Sequence, residues 1–485
     1  MKPAAQAART ALRVAGGVRA EVLRLLPVPL LILIDALVVA ASVAAAVGIR
    51  ATMEGYLDRA DYLQLAPALG LLVAVYAAVG LYPGYGLGPV EELRRYAGGT
   101  TLVYLTLAAA TFLFRGGAAY SRLVLLISWG LCVVALPVMR ACVRSMLASM
   151  PWWGERVVIL GAGETGRLLV RGLVSRPDLG LKPVAILDDD PGRADARHDG
   201  VAAVGGLELA PSFASYGRAR HAVVCMPGVT RQRLTEILEK DLQGFPRVSI
   251  VPDLFGVPSL GMAARDLQGI LALEIRRNLL QPIPRYVKRL IDVGLALVGL
   301  AVTAPLLALV ALAIVLDSRG PVLFAQPRVG RGGRVFRAWK FRTMVVGAEA
   351  MLEAYLASHP RARAHWARHR KLPDDPRVTR VGKWLRRTSL DELPQLWNVL
   401  RGEMSLVGPR PLLPDEVPEY GEGLQLYVQV RPGLTGLWQV SGRADATFED
   451  RARMDAYYVR NWSVWLDVYL LGVTVPAVVR GEGAY

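Results

Sequence analysis

Residues 25–49 form an apolar run interrupted by two early prolines and by Asp35. That length matches the roughly 20 residues a helix needs to cross a hydrocarbon core, so it predicts a membrane helix. A cleaved signal peptide fits less well. The stretch exceeds the usual apolar region of about 7–15 residues, and a long basic stretch precedes it. Further spans are expected at residues 63–81, 100–114 and 123–139, the span at 100–114 being short. Lys2, Arg9, Arg13, Arg19 and Arg24 precede the first span, and Arg140 and Arg144 follow the fourth. Basic flanks mark the cytoplasmic side, so four spans with both ends inside are predicted; Arg115 and Arg122 oppose this and are outnumbered.

The composition agrees, with 53% apolar and 20% charged residues and a mean hydropathy of +0.33. Soluble domains average about 45–50% and about 25%, so disorder is excluded and a bilayer is indicated. Cys132, Cys142 and Cys225 form no CxxC pair, which removes a zinc cluster and a disulfide scaffold and leaves packing thiols. The net charge is +16, and residues 320–410 hold 18 Lys and Arg against 7 Asp and Glu. An anion is therefore handled there, whether phospholipid, nucleic acid or a phosphorylated metabolite.

After Pro151-Trp152-Trp153-Gly154 the pattern changes to short β-rich runs at 157–160, 184–187, 222–226 and 248–251, with helical patterns at 164–175 and 231–241. Such alternation predicts an α/β domain with a parallel sheet. Gly161-Ala162-Gly163-Glu164-Thr165-Gly166 opens its first helix, the G-x-G-x-x-G context in which backbone N–H groups approach a diphosphate. Asp188, in the Asp188-Asp189-Asp190 run, is the candidate ribose-binding acid. No Tyr-x-x-x-Lys pair occurs, so redox machinery of the short-chain type is missing. The alternative is a glycine turn kept for tight strand–helix packing.

A second long apolar stretch, residues 290–316, carries Asp292 near its start and Pro305 in its middle. Arg285, Lys288 and Arg289 lie before it, and Arg319, Arg328, Arg331 and Arg334 after. A crossing helix would leave one basic group outside. A helix that enters, breaks at Pro305 and returns keeps both inside. A spanning helix with a tolerated proline is the alternative.

Residues 385–411 are the most informative. Ser389-x-x-Glu392 reads as a capping box, with Asp391 in the first turn where the helix dipole favours a carboxylate. Pro394 does not fit that helix, and a bend beside paired carboxylates and two arginines points to a site.

Three ordered motifs carry a resemblance: Lys340-Phe341-Arg342-Thr343-Met344, then Asp391-Glu392-Leu393-Pro394-Gln395 running into Gly408-Pro409-Arg410-Pro411, then Arg431-Pro432-Gly433-Leu434-Thr435-Gly436. Over residues 284–485 the chain resembles the bacterial sugar transferase family, the monotopic phosphoglycosyl transferases. Its upstream architecture is similar to the large undecaprenyl-phosphate galactose or glucose phosphotransferases. The resemblance implies an enzyme that moves hexose-1-phosphate from a UDP-hexose to polyprenyl phosphate with release of UMP. It implies Asp391 as nucleophile forming a covalent intermediate, Glu392 as its partner acid, and Mg²⁺ held by Asp391 and Glu392. Phosphate-binding cations map onto Lys340, Arg342, Arg386, Arg410 and Arg431. A cation set of this kind must neutralise a diphosphate before a carboxylate can approach it.

The expected fold class is thus a membrane protein with an α-helical bundle (1–150), an α/β Rossmann-like domain (151–255), a linker (256–283), and an α/β catalytic domain (284–485). The last sits on a re-entrant helix at about 288–317. Expected partners are UDP-hexose, polyprenyl phosphate, membrane lipid and a second copy of the chain as a dimer, with no nucleic acid. The expected location is the bacterial inner membrane with catalysis on the cytoplasmic side, in surface polysaccharide synthesis. The rival readings are a membrane-tethered sugar-nucleotide oxidoreductase or epimerase and a lipid-binding scaffold.

Overall fold

A computed structural model describes residues 26–53, 67–113, 121–190, 192–193, 197–215, 219–252, 262–268, 270–275, 278–369, 372, 375–441 and 447–480. The chain divides into two units, Met1–Phe255 and Gly256–Tyr485. In the first, α1 (Pro27–Ala51), α3 (Pro89–Leu113) and α4 (Arg122–Leu147) are each long and apolar enough to cross a membrane. The described part of the second expected span, α2 (Ala68–Ala78), has 11 residues. It is about 16 Å long, half of a hydrocarbon core. Residues 63–66 lie outside the described set, as do Lys2, Arg9, Arg13, Arg19, Arg24 and Arg115. Helix α3 begins 11 residues before the expected start, because Glu91 and Glu92 favour its N-terminal turn.

Arg140 and Arg144 are not the exposed basic flank that the sequence predicts. Both are buried, Arg144 pairing with Glu92 at 2.7 Å and Arg140 donating to the carbonyls of Leu81 and Pro83. Asp35 accepts hydrogen bonds from Tyr82 and Tyr96. An apolar medium offers charged groups no water, so these groups pair inside the bundle, although Arg140 Nη1 and Arg144 Nε have no hydrogen-bond partner. Among the thiols, Cys132 and Cys225 are packed as expected while Cys142 is exposed.

Strands β1 (Glu155–Leu160), β2 (Leu181–Leu187), β3 (Arg197–His198), β4 (Val201–Gly205), β5 (His221–Val224) and β6 (Arg247–Ile250) form one sheet in the order β3-β4-β2-β1-β5-β6. All neighbours run parallel except β3 and β4, a hairpin that the sequence reading lacks. Val158 and Leu160 join one buried cluster, and Val157 and Ile159 join another. Both sheet faces are covered, as parallel sheets require. Helix α5 (Glu164–Ser175) leaves the end of β1 through the glycine motif.

The second unit starts with a hairpin, β7 (Met262–Leu267) and β8 (Ile270–Ile275), inside the segment expected as a linker. The helix break expected at Pro305 is corrected: α6 (Pro282–Asp317) runs 36 residues as one helix with Pro305 inside it. Near its start Lys288 pairs with Asp467, Arg289 donates to the carbonyls of Val399 and Leu400, and Asp292 accepts from Ser405 Oγ and the Leu406 N–H. At its far end Asp317 accepts from the Val381 N–H. Both ends are thus fastened to the same unit, while Leu290, Val302, Leu309 and Leu316 stand exposed along its length. The antiparallel hairpin β9 (Leu323–Val329) and β10 (Val335–Phe341) pairs Lys340 with Phe324. Helices α7 (Arg380–Thr388) and α8 (Gln395–Arg401) pack beside α6 and present the 390–396 segment.

Gly161 has φ +106°, and a Cβ at Gly166 would run into the Gly161 carbonyl oxygen. Gly166→Ala should therefore destabilise the α/β fold by roughly 2–4 kcal/mol, seen as accelerated proteolysis of that unit in the detergent-solubilised protein with no ligand added.

Candidate active site

Helix α7 begins at Thr379, whose hydroxyl accepts from the Gly382 N–H, and ends at Ser389, which adopts φ +53°. That left-handed residue turns the chain into a short 3₁₀ segment, Leu390–Glu392, before Pro394 starts α8. The capping box expected at Ser389 is absent: its side chain makes no cap hydrogen bond. Asp391 and Glu392 therefore sit in a connection between two helices. Pro394 fits there because a helix start needs no N–H from it. Leu390 anchors the turn against Phe341, Leu385 and the Val310–Ile314 face of α6.

Around the pair, Lys340 Nζ donates to Glu392 Oε1 at 2.5 Å. Arg386 Nε donates to Thr343 Oγ1 at 3.0 Å and bears electrostatically on Asp391. Burial works to raise the Glu392 carboxyl, but Lys340, Arg410 and Arg328 outweigh it and hold it below the usual glutamate range. Asp391 goes the other way. Burial first, and the Glu392 charge second, push it up to about 6 against the pull of Lys340 and Arg386. The dipole-held, readily ionised carboxylate expected from sequence is corrected: with three residues of 3₁₀ turn there is little dipole to offset burial.

Two predicted cations are elsewhere. Arg342, 7% exposed, donates to the carbonyls of Ser318 and Arg319, closing the end of α6. Arg431 donates to the Gly402 carbonyl and is surrounded by Arg289, Arg331 and Asp292. Each guanidinium thus donates to backbone carbonyls, and neither lines the cleft that holds Lys340, Glu392 and Arg410. In their place stand residues the sequence reading did not single out. Arg328 bonds the Pro411 carbonyl and Gln326, and it lines a cleft with Lys340, Glu392, Gln395, Arg410 and Gln439. Arg410 lies over the Trp438 ring at 5.5 Å. Arg328 was one of many basic residues, and no local spacing set it apart.

In the other unit, the Asp188 carboxylate accepts from the Ala162 N–H at 2.7 Å, so the glycine loop and the acid at the end of β2 are in direct contact. Arg193 pairs with Asp188 and Asp190 over that loop. Among the described residues no group of three metal-ligating side chains occurs.

Comparison with known proteins bears on both units. The bacterial sugar transferase family matches residues 283–481, and a CoA-binding domain family matches residues 77–252. The chain is 34% identical over 368 residues to the undecaprenyl-phosphate galactose phosphotransferase of Salmonella typhimurium, covering 76% of this chain and 77% of that protein. It is 37% identical over 368 residues to the UDP-galactose-lipid carrier transferase of Erwinia amylovora, covering 75% and 76%. The exopolysaccharide production protein ExoY of Rhizobium meliloti is 44% identical over 223 residues, which is 46% of this chain and 99% of that one. The chain belongs to the bacterial sugar transferase family. It is accordingly a membrane-bound enzyme of the sugar-phosphate transferring class.

The Asp391 position sets a pH dependence. Its ionised form is lost as pH falls through about 6. If that carboxylate reacts, kcat/KM should be flat near pH 8 and fall about tenfold per pH unit below about 6, since kcat/KM reports groups of the free enzyme. A pH series of product release measures this.

Proposed function

We propose that the enzyme transfers hexose-1-phosphate from a UDP-hexose to undecaprenyl phosphate, releasing UMP, at the cytoplasmic face of the bacterial inner membrane. The observation that carries the reading is the Asp391–Glu392 pair set among Lys340, Arg386, Arg410 and Arg328. Relatives named for galactose or glucose phosphotransfer to undecaprenyl phosphate support the substrates.

A UDP-sugar carries two phosphates that a bare carboxylate would repel. Lys340, Arg410 and Arg328 supply the compensating charge at the cleft, and Arg386 supplies it beside Asp391. An Asp391 carboxylate oxygen attacks the phosphorus that bears the sugar. The bond from that phosphorus to the bridging oxygen breaks, and UMP leaves with the electron pair. The anionic oxygen of the lipid phosphate then attacks the same phosphorus, the bond to Asp391 breaks, and the carboxylate is regenerated. The acceptor is already ionised, so no base is needed, and Glu392 orients Lys340 rather than moving a proton.

The two adjacent carboxylates suit Mg²⁺, which takes one or two carboxylates and completes its shell with substrate phosphates and water. Burial and, second, the Glu392 charge raise Asp391, and a bound cation would offset both. When bound, the ion would add further neutralisation of the diphosphate.

Helix α6 is proposed as a re-entrant element, entering and leaving on one side of the bilayer. Its fastening at both ends to one unit supports this. The α/β unit, Rossmann-like in strand order, is assigned a binding or structural role outside the chemistry. The near-complete match of ExoY to under half of this chain supports that separation.

Two experiments test this reading. In a cysteine-free background, Tyr286→Cys and Arg319→Cys should both react with an impermeant thiol reagent only from the cytoplasmic side. Reaction of either from outside overturns the re-entrant topology. With lipid withheld, UDP-hexose labelled in the sugar should leave label on the protein, and steady-state kinetics should be ping-pong. Asp391→Asn should abolish the label and cut UMP release by about a thousandfold or more.

A further inference from the structure

Helix α8 buries two side-chain amides one turn apart, and the protein treats them differently. Asn398 is fully buried and satisfied: its Oδ1 accepts from the Trp339 N–H, and its Nδ2 donates to the Arg337 carbonyl and Glu403. Gln395 is 3% exposed and has no side-chain hydrogen bond to the described residues, and its amide atoms are not among the fully buried unpaired ones. An amide with no protein partner that still meets solvent is paired there by water or by a ligand, so its position calls for a reason.

The reason lies in what Gln395 faces. It lines the cleft with Lys340, Glu392, Arg410 and Arg328. The other polar side chains there each have a protein partner: Lys340 bonds Glu392, Arg328 bonds Pro411 and Gln326, and Gln439 donates through Nε2 to the Leu434 carbonyl while its Oε1 is buried without a partner. Among the described residues of this cleft, Gln395 and Arg410 alone have no hydrogen bond to protein. A cation and an amide, neither hydrogen-bonded to the described protein, thus line one cleft beside Glu392.

We infer that Gln395 is a substrate-contacting residue of the transfer, its amide N–H donating to a non-bridging oxygen of the phosphoryl group that Arg410 holds. The inference rests on the transferase reading and extends it to a side chain with no charge. An amide adds a directional donor without adding another cation beside Lys340, and without competing with Asp391 for the phosphorus. Its placement at the first residue of α8, three positions after Glu392, ties it to the same rigid turn as the acidic pair.

The test uses the full-length protein in nanodiscs, with UMP release from UDP-glucose and UDP-galactose and thermal unfolding measured side by side for wild type, Gln395→Leu and Gln395→Glu. A donor to a charged oxygen is expected to be worth about tenfold to a hundredfold, so Gln395→Leu should lower kcat/KM by that factor. Gln395→Glu should lower it further, since a third carboxylate then faces the diphosphate. The unfolding temperature of Gln395→Leu should equal or exceed that of wild type, because an amide without protein partners contributes nothing that leucine removes. Retention of kcat/KM within twofold in Gln395→Leu overturns the inference. So does a loss of activity accompanied by a lower unfolding temperature, which would make Gln395 a packing residue. If the wild-type protein releases no UMP from either donor while folded, the transferase reading falls and takes this inference with it. A working wild type with indifferent variants removes the inference alone.

Discussion

Helix α6 is apolar enough for a bilayer and yet is fastened at both ends to a polar unit, and the rest of that unit is arranged around this attachment. Arg289 satisfies the last carbonyls of α8, which a helix terminus otherwise leaves without partners. Asp292 holds the Ser405–Leu406 backbone, and Val310 and Ile314 receive Leu390 from the turn that carries the acidic pair. The acidic pair is consequently fixed to the membrane element by short, specific contacts. A lipid-borne phosphate needs that geometry if it is to reach a group attached to soluble machinery.

The same economy of polar groups operates in the first unit. Arg140, Arg144, Glu92 and Asp35 would be costly in hydrocarbon if left alone. They are instead bonded to one another and to the carbonyls and tyrosines of the turn after α2. Charges that read as topology markers in a linear sequence are there internal fasteners. This is why residues counted as a cytoplasmic flank proved to be buried.

At the active site, opposing pressures set neighbouring carboxylates apart. Glu392 has Lys340 in contact and stays below its ordinary range, while Asp391 bears both burial and the charge of Glu392 and rises to about 6. Two carboxyl groups adjacent in sequence thus differ in electrostatic state because a cation bonds one and not the other. Such divergence is the physical basis for giving them different roles.

The sequence determined the apolar helices, the alternating α/β pattern and the acidic pair with Lys340, Arg386 and Arg410, because hydrophobic period and ordered motifs are local properties that a linear reading captures. It missed the β3–β4 hairpin, whose strands are short, and it misread Ser389, whose left-handed backbone depends on how α7 and α8 pack. Arg342 and Arg431 carry the same guanidinium group as Arg410, and the first two are bound to backbone carbonyls while the third faces the cleft. Gln395 and Asn398 carry the same amide and differ likewise. Tertiary structure decided those roles, since what a polar side chain does depends on the atom within about 3 Å of it, and that atom comes from chain tens of residues away.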